Sequence, residues 1–459
     1  MTNKLSRALA ALVVYVFVAA MPAAANAQTK SAGSFGNVNA ITAKQMKEYL
    51  TFIASDELEG RDTPSRGLDI AAMYIAQHLA SWGLKPAGDG GSYFQKVPLR
   101  RKKVDTARTT MEIGGQTYAY GKDFLTGTLP ASISGSPMVF AGNGWVLKSK
   151  NIDPYKGIDV KDKVVVVVNS LPKGVTFNDL QGPAGGDWSS PPLYAQTHGA
   201  KAVIAFSTFG SLANWEGSVW NATEKGSVEF GESPAQINIP TFTVNPRMIS
   251  AIFSGEKAGG SSLFAKAITG DAMESFDLKP TKRVTATVAV HSENIHTQNV
   301  VAILEGSDPV LKNEYVAVGA HYDHVGMNPF SANPDKIWNG ADDDGSGTVA
   351  VMAIAKAMAE GQRPKRSMLF IWHAGEEKGL WGSRHFTDNP TVPITSIITG
   401  LNIDMIGRYQ RPGDENHPQN NRLPKPHEVF TIGAKMMSTE LGELADSVNK
   451  SFLNLNFNP

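Results

Sequence analysis

Three short apolar runs in the last third of the chain lead into acidic or histidine residues. Residues 315–319 precede His321, residues 367–372 precede Glu376, and residues 397–403 precede Asp404. Runs of this length without alternation read as strands buried on both faces, and a helical pattern at 348–358 lies between the first two. Helices alternating with such runs predict an α/β fold with a parallel or mixed central sheet flanked by helices. Ligands of such sheets sit beyond the carboxyl ends of the strands, where all of these polar clusters fall.

The chain has 459 residues and is 42% apolar, enough for a large core and two domains. Its 43 basic residues balance 43 acidic ones, which gives no reason to expect nucleic acid or an anionic membrane as partner. There is no cysteine, so disulfides and thiolate ligands are excluded and any zinc must be held by His, Asp and Glu. At the start, Lys4 and Arg7 precede an apolar stretch at 9–20 and then Ala25-Asn26-Ala27. That pattern predicts a signal peptide over 1–27 and export to a periplasm or the outside. The stretch is short for a membrane span; an uncleaved anchor is the alternative.

Helices are expected at 42–52, with Thr42 as N-cap, and at 65–82. In the second, Ile70, Met73, Tyr74, Ala76, Gln77 and Leu79 recur at helical intervals, and Gly83 is a natural stop. Residues 129–246 have a different texture. Short β-rich runs at 137–141, 164–168 and 202–206 are separated by Gly, Ser, Pro and Trp, with no catalytic cluster among them. This stretch is either a small inserted domain or part of one large core.

His321 follows a strand and is a good nitrogen ligand. Asp323 can accept its other ring proton and fix the tautomer, and His324 is the less attractive ligand. A structural histidine at a strand end is the plainer alternative. Asp342, Asp343 and Asp344 crowd three carboxylates together, which is costly unless cations neutralise them. A carboxylate between two metals can hold them about 4 Å apart. A calcium-binding or solvated turn is the competing reading. Gly345-Ser346-Gly347 permits a tight turn, with Ser346 or Thr348 as cap of the next helix. Glu376 and Glu377 suggest one carboxylate on a metal and its neighbour accepting a proton from water, unless they lie on an ordinary surface helix. Asp404 lies in an apolar stretch and needs a partner, either a metal or a cation such as Arg408.

Four segments together resemble the co-catalytic dizinc aminopeptidase family, secreted metallopeptidases related to glutamate carboxypeptidases. They are His321-Tyr322-Asp323-His324, Gly340 through Gly347, Ala374-Gly375-Glu376-Glu377-Lys378-Gly379, and Asn402-Ile403-Asp404-Met405-Ile406-Gly407. Asp56-Glu57-Leu58-Glu59-Gly60-Arg61 also looks like the start of mature family members, and the middle region resembles a protease-associated domain. The resemblance implies a peptidase domain in two parts, 28–128 and 247–459, around an inserted protease-associated domain at 129–246. It implies a metal set of His321, Asp343, Glu377 and Asp404, with Asp343 bridging two zinc ions. Glu376 would be the general base and Asp323 would orient His321. A cis peptide is implied at Asp343-Asp344. The expected activity is removal of N-terminal residues from peptides, by a metal-activated water with Glu376 taking its proton.

The family completes the Glu377-side zinc with a histidine downstream of the Asp404 motif, in a Ser-Asp-His-like segment. Only His417 and His427 follow Asp404, and neither has that setting. The apolar beginning at 452–459 is read as an incomplete C-terminus, with final strands and a helix missing and one zinc retained in place of two. Three rivals stay open: a carboxypeptidase for acidic residues, a one-zinc aminoacyl cyclase, and an inactive binding module.

Overall fold

The structure, a computed structural model, describes residues 36–168, 170–231, 237–417 and 420–459. The signal peptide expected at 1–27 lies outside the described residues. Among the described residues no helix is long and apolar enough to cross a membrane.

Two mixed sheets organise the chain. The seven-stranded sheet carries β1 (Phe94–Val104), β2 (Val290–Leu304), β3 (Tyr315–His321), β4 (Ser367–His373) and β5 (Ile397–Asn402) in the order β1-β2-β4-β3-β5. β2 runs antiparallel to β1 and β4, and β3 runs parallel to β4 and β5. Side chains alternate across β4 as the pleat requires. Phe370 and Trp372 enter the larger core with α1 (Ala43–Ile53), α2 (Arg66–Ser81) and α3 (Gly347–Glu360). Leu369 and Ile371 enter a smaller one with Phe386 of α4 (Trp381–Asp388). Both faces of the middle of the sheet are therefore covered.

The helix boundaries follow local chemistry. The Thr42 hydroxyl accepts the Gln45 N–H at 3.2 Å, and the Ser65 hydroxyl accepts that of Leu68 at 3.1 Å. α2 stops just before Gly83, which adopts a φ of +77°. Its inward face differs from the expected stripe. Leu68, Ala71, Ala72, Ile75, Ala76 and Leu79 are buried, whereas Met73 is 55% exposed. The alanines let the helix backbone lie close to its neighbours, so small residues take the core side and a larger one is left outside. The cap of α3 also differs. Neither Ser346 nor Thr348 caps it; the Asp344 carboxylate accepts the Gly347 N–H at 2.9 Å.

β5 departs from the expectation of burial on both faces. Among the described residues it is an edge strand, with Ile398 50% and Leu401 46% exposed. An apolar run identifies a strand, but its place in the sheet decides what covers it.

The nine-stranded sheet has a parallel centre of Ala131–Phe140, Val164–Val167, Ala202–Phe206 and Thr241–Val244. Val164 and Val166 face Phe140, Phe206 and Phe242, while Val165 and Val167 face Tyr155 and Ala195. Its strands come from residues between Thr110 and Val288. β1 leaves the first sheet at Val104 shortly before this one begins, and β2 re-enters the first sheet at Val290. The two long antiparallel strands thus join the sheets.

Candidate metal centre

Strand ends deliver the donors. β3 ends at His321, in parallel register with His373 at the end of β4. The chain then turns through Gly375, at a φ of +73°, into Glu376 and Glu377. A Cβ at Gly375 would lie 3.1 Å from Trp381 and 3.3 Å from Thr63, so a side chain there would press on both neighbours. β5 ends at Asn402, two residues before Asp404. Asp343 lies in the turn Ala341–Ser346 that opens α3, and the peptide between Asp343 and Asp344 is cis.

These residues form two three-donor groups that share one carboxylate. His321, Asp343 and Asp404 make one, and His324, Asp343 and Glu377 the other, with the donor atoms of each group within 4.8 Å of one another. His321 Nε2 lies 3.1 Å from Asp343 Oδ1, 3.8 Å from Asp404 Oδ1 and 3.8 Å from Glu376 Oε2. Both ring nitrogens of His321, Nδ1 of His324 and Oε1 of Glu377 are buried without a hydrogen-bond partner. Buried polar atoms are ordinarily paired. So many unpaired donors facing one another, with nitrogen and carboxylate character only, fit divalent cations such as zinc.

The three aspartates divide their work. Asp342 Oδ1 accepts the Gly407 N–H at 2.8 Å, and Asp344 Oδ1 accepts those of Gly347 and Met405 at 2.9 and 3.1 Å. These two pin the turn to α3 and to the segment after Asp404, which leaves Asp343 as the donor shared by both groups. The Arg408 guanidinium bonds Asn420 at 3.2 Å, and no ion pair between Arg408 and Asp404 is present among the described residues. His417 and His427 belong to neither donor group.

Asp323 is fully buried, with Oδ1 3.5 Å from His321 Nδ1. Its hydrogen bonds come from the Glu376 N–H and the Thr63 hydroxyl, both at 3.1 Å. It therefore ties the end of β3 to the loop that carries Glu376.

Sequence reasoning missed Arg61 and Thr63 and ranked His324 low. Arg61 is fully buried. Its guanidinium donates to the carbonyls of Tyr322 at 2.8 Å, Asn339 at 2.6 Å, Gly340 at 2.9 Å, and Ile53. One side chain thus holds the His321–His324 segment against the stretch before Asp343. Only its place in a Gly-Arg turn hinted at this, since an arginine among acidic residues reads as solvated.

Electrostatics reflect a dense anionic cluster. Burial disfavours the His321 imidazolium, but Asp323 and Asp343 outweigh it and hold its pKa up at about 11. The His321 charge in turn keeps Asp343 below the usual carboxylate range. Burial raises Glu376, Glu377 and Asp404, and lifts Asp344 to about 8. Burial lowers Arg61 to about 10, which leaves it charged at neutral pH. A bound cation would reverse this logic by favouring neutral imidazole and ionised carboxylates.

A cleft of about 450 Å³ opens on His321, Glu376 and Asp404, with Leu380 and Leu401 among its apolar lining and no Lys or Arg. A second, of about 500 Å³, carries Asp62, Arg101, Lys225 and Lys378 but none of the donors.

Residues 299–440 match peptidase family M28. A "Leucine aminopeptidase 2" of Arthroderma otae is 29% identical over 74% of this chain and 65% of that protein. A "Probable zinc metalloprotease" of Pyrenophora tritici-repentis is 30% identical over 32% of this chain and 33% of that protein. The chain thus spans less than two thirds of the length of these relatives. A solved zinc aminopeptidase from Bacillus subtilis is similar at 18% identity and a TM-score of 0.43, over 80% of this chain and 70% of that one. The segment similar to peptidase family M28 contains all the donor residues of both groups.

Proposed function

We propose that the chain is a zinc-dependent exopeptidase that removes N-terminal residues from peptides. The observation that carries this reading is the division between neighbours at the end of β4. Glu377 belongs to a donor group, whereas Glu376 faces His321 from 3.8 Å and belongs to neither group. When bound, two zinc ions supply Lewis acidity, lowering the pKa of the attacking water and polarising the scissile carbonyl. Asp343 would be shared by both ions, His321 and Asp404 would serve one, and Glu377 the other. Asp323 fixes the loop of Glu376 through its backbone N–H. Glu376 accepts the proton of the attacking water and returns it to the leaving amine. Burial raises its pKa, which makes it a better base than a solvated glutamate.

The cleft favours amino- over carboxypeptidase action. A substrate carboxylate would require a cation, and the cleft lining has no Lys or Arg. A free amine finds Glu376 and Asp404 there. Residues 129–246 are proposed to lie in an inserted protease-associated domain whose sheet extends past those bounds, to strands between Thr110 and Val288, and residues 1–27 are proposed to be a cleaved export signal. Replacing Glu376 by Gln tests the reading. Turnover of amino-acid amides should fall about 10²- to 10⁴-fold with zinc content unchanged; near-normal turnover would remove Glu376 as the base.

A further inference from the structure

Residues 215–230 run from the second sheet to the first. Trp215 Nε1 donates to the Gly121 carbonyl at 2.6 Å, in the turn before the second-sheet strand Phe124–Thr126. Trp220 packs on Phe330 with ring centres 6.0 Å apart, and the short strand Ser227–Glu229 pairs antiparallel with Arg100–Lys102 of β1. Phe230 then lies on Trp381, the first residue of α4, with ring centres 6.2 Å apart. Lys225 sits between these anchors, and its Nζ meets Asp62 Oδ2 at 2.7 Å. We infer that Lys225 is a positioning residue for the reaction: through Asp62 it holds Lys378, and with Lys378 the turn that presents Glu376 and Glu377. This rests on the reading of Glu376 as the base.

The contact reaches inward. Asp62 is 7% exposed and gives one carboxylate oxygen to each lysine, Oδ2 to Lys225 and Oδ1 to Lys378 at 2.8 Å. The two cations do not compete for one atom; together they fix the plane of the carboxylate. Exposed ion pairs contribute little because water screens them. Here the lysines are 36% and 27% exposed, but the acid between them is buried and requires its partners. Without Lys225, Oδ2 loses its cation, the carboxylate is free to turn, and Lys378 loses a fixed anchor.

Lys378 directly follows Glu377, in a turn already tied at other points. The Gly379 and Leu380 N–H groups donate to the Glu376 carbonyl at 2.8 and 3.0 Å, and the Trp381 N–H donates to the Gly375 carbonyl at 3.0 Å. The Glu376 N–H and the hydroxyl of Thr63, next to Asp62, both donate to Asp323. Residues 61–63 thus hold the centre at three places. Arg61 binds the carbonyls of Tyr322, Asn339 and Gly340, Thr63 reaches the Glu376 turn through Asp323, and Asp62 reaches it through Lys378. Asp62 is also the point at which the segment from the second sheet takes hold. Lys225 and Lys378 line the cleft of about 500 Å³, which carries none of the metal donors. The effect of Lys225 is therefore on the placement of the Glu376 turn, not on metal uptake.

A double-mutant cycle on the zinc-loaded full chain, read as kcat and KM for an amino-acid amide, tests this. Misplacing a reacting group by about 1 Å costs about 100-fold in rate, so loss of one of several supports in Lys225→Met should lower kcat about 10-fold. KM and zinc content should not change. Lys225→Arg keeps a cation on Asp62 and should restore most of the turnover. With Lys378→Met already in place, Lys225→Met should cost less than about 2-fold more, because residues acting through one contact lose their effects non-additively. Equal losses from Lys225→Met in both backgrounds would overturn the assignment. So would a lowered Tm with native kcat per folded chain, which marks a purely structural pair, or a raised KM with native kcat, which places Lys225 against the substrate. Each of these results leaves Glu376 as the base, whereas near-normal turnover of Glu376→Gln would remove that reading and this inference with it.

Discussion

The two sheets of this chain are built from the same kind of strand, yet among the described residues only one carries a cluster of metal-type donors at its strand ends. Val164–Val167 and Ala202–Phe206 are buried throughout and parallel, as are most residues at the centre of β3 and β4. The difference lies in the residues just past each strand's carboxyl end. β3 ends at His321, and β4 runs on to Glu376 and Glu377. Ala202–Phe206 runs into Ser207, and Thr241–Val244 into Asn245, which caps the next helix by accepting the Met248 N–H at 3.0 Å. Parallel topology offers a place for a site at the strand ends, and the residues placed there decide whether it is used.

The largest expected effect that separates the sheets is a core truncation. Phe242→Ala, in the middle of the second sheet and fully buried, should cost about 3–5 kcal/mol of stability in denaturant unfolding. Zinc content per folded chain should not change; a loss of zinc would show that the second sheet shapes the metal centre. A smaller effect belongs to the hidden support of the first. Thr63→Val removes the hydroxyl that donates to Asp323 at 3.1 Å and leaves a buried carboxylate oxygen short of a partner. It should cost about 1–3 kcal/mol and lower turnover through Glu376. Unchanged turnover would detach Asp323 from the positioning of that loop.

The sequence made much of the first sheet legible. β3 and β4 are marked by unbroken apolar runs, and the runs point at His321 and Glu376. The edge position of β5 was not legible, because Ile398 and Leu401 look as buried as Phe370 until the neighbouring strands are known. The inward face of α2 was missed because alanines carry little weight in a hydrophobic pattern, yet they pack closest. The work of Asp342 and Asp344 was hidden for another reason. Besides the local Gly347 N–H on Asp344, their partners are backbone N–H groups 61 and 65 positions along the chain, which no local pattern displays. Arg61 is the extreme case, since the four carbonyls it joins come together only on folding.

The smallest effect concerns packing on the site-bearing side, away from the metals. Burial, then the charge of Lys356, lowers the His78 pKa below its ordinary value. The neutral ring is the favoured form in the fold, so its contribution is present above about pH 6.5 and is lost as pH falls through the lowered value. His78→Phe should flatten the acid side of a Tm-against-pH profile over that window. An identical profile would mean that other groups set the acid limit.

The central claim is that the donors around Asp343 hold the ions on which hydrolysis depends. Chelator-stripped protein, titrated with zinc while cleavage of an amino-acid amide is followed, tests it most directly. The account predicts no turnover without metal, recovery on adding zinc, and saturation at two ions per chain. Turnover that persists after stripping, or zinc that binds without restoring it, would contradict the account.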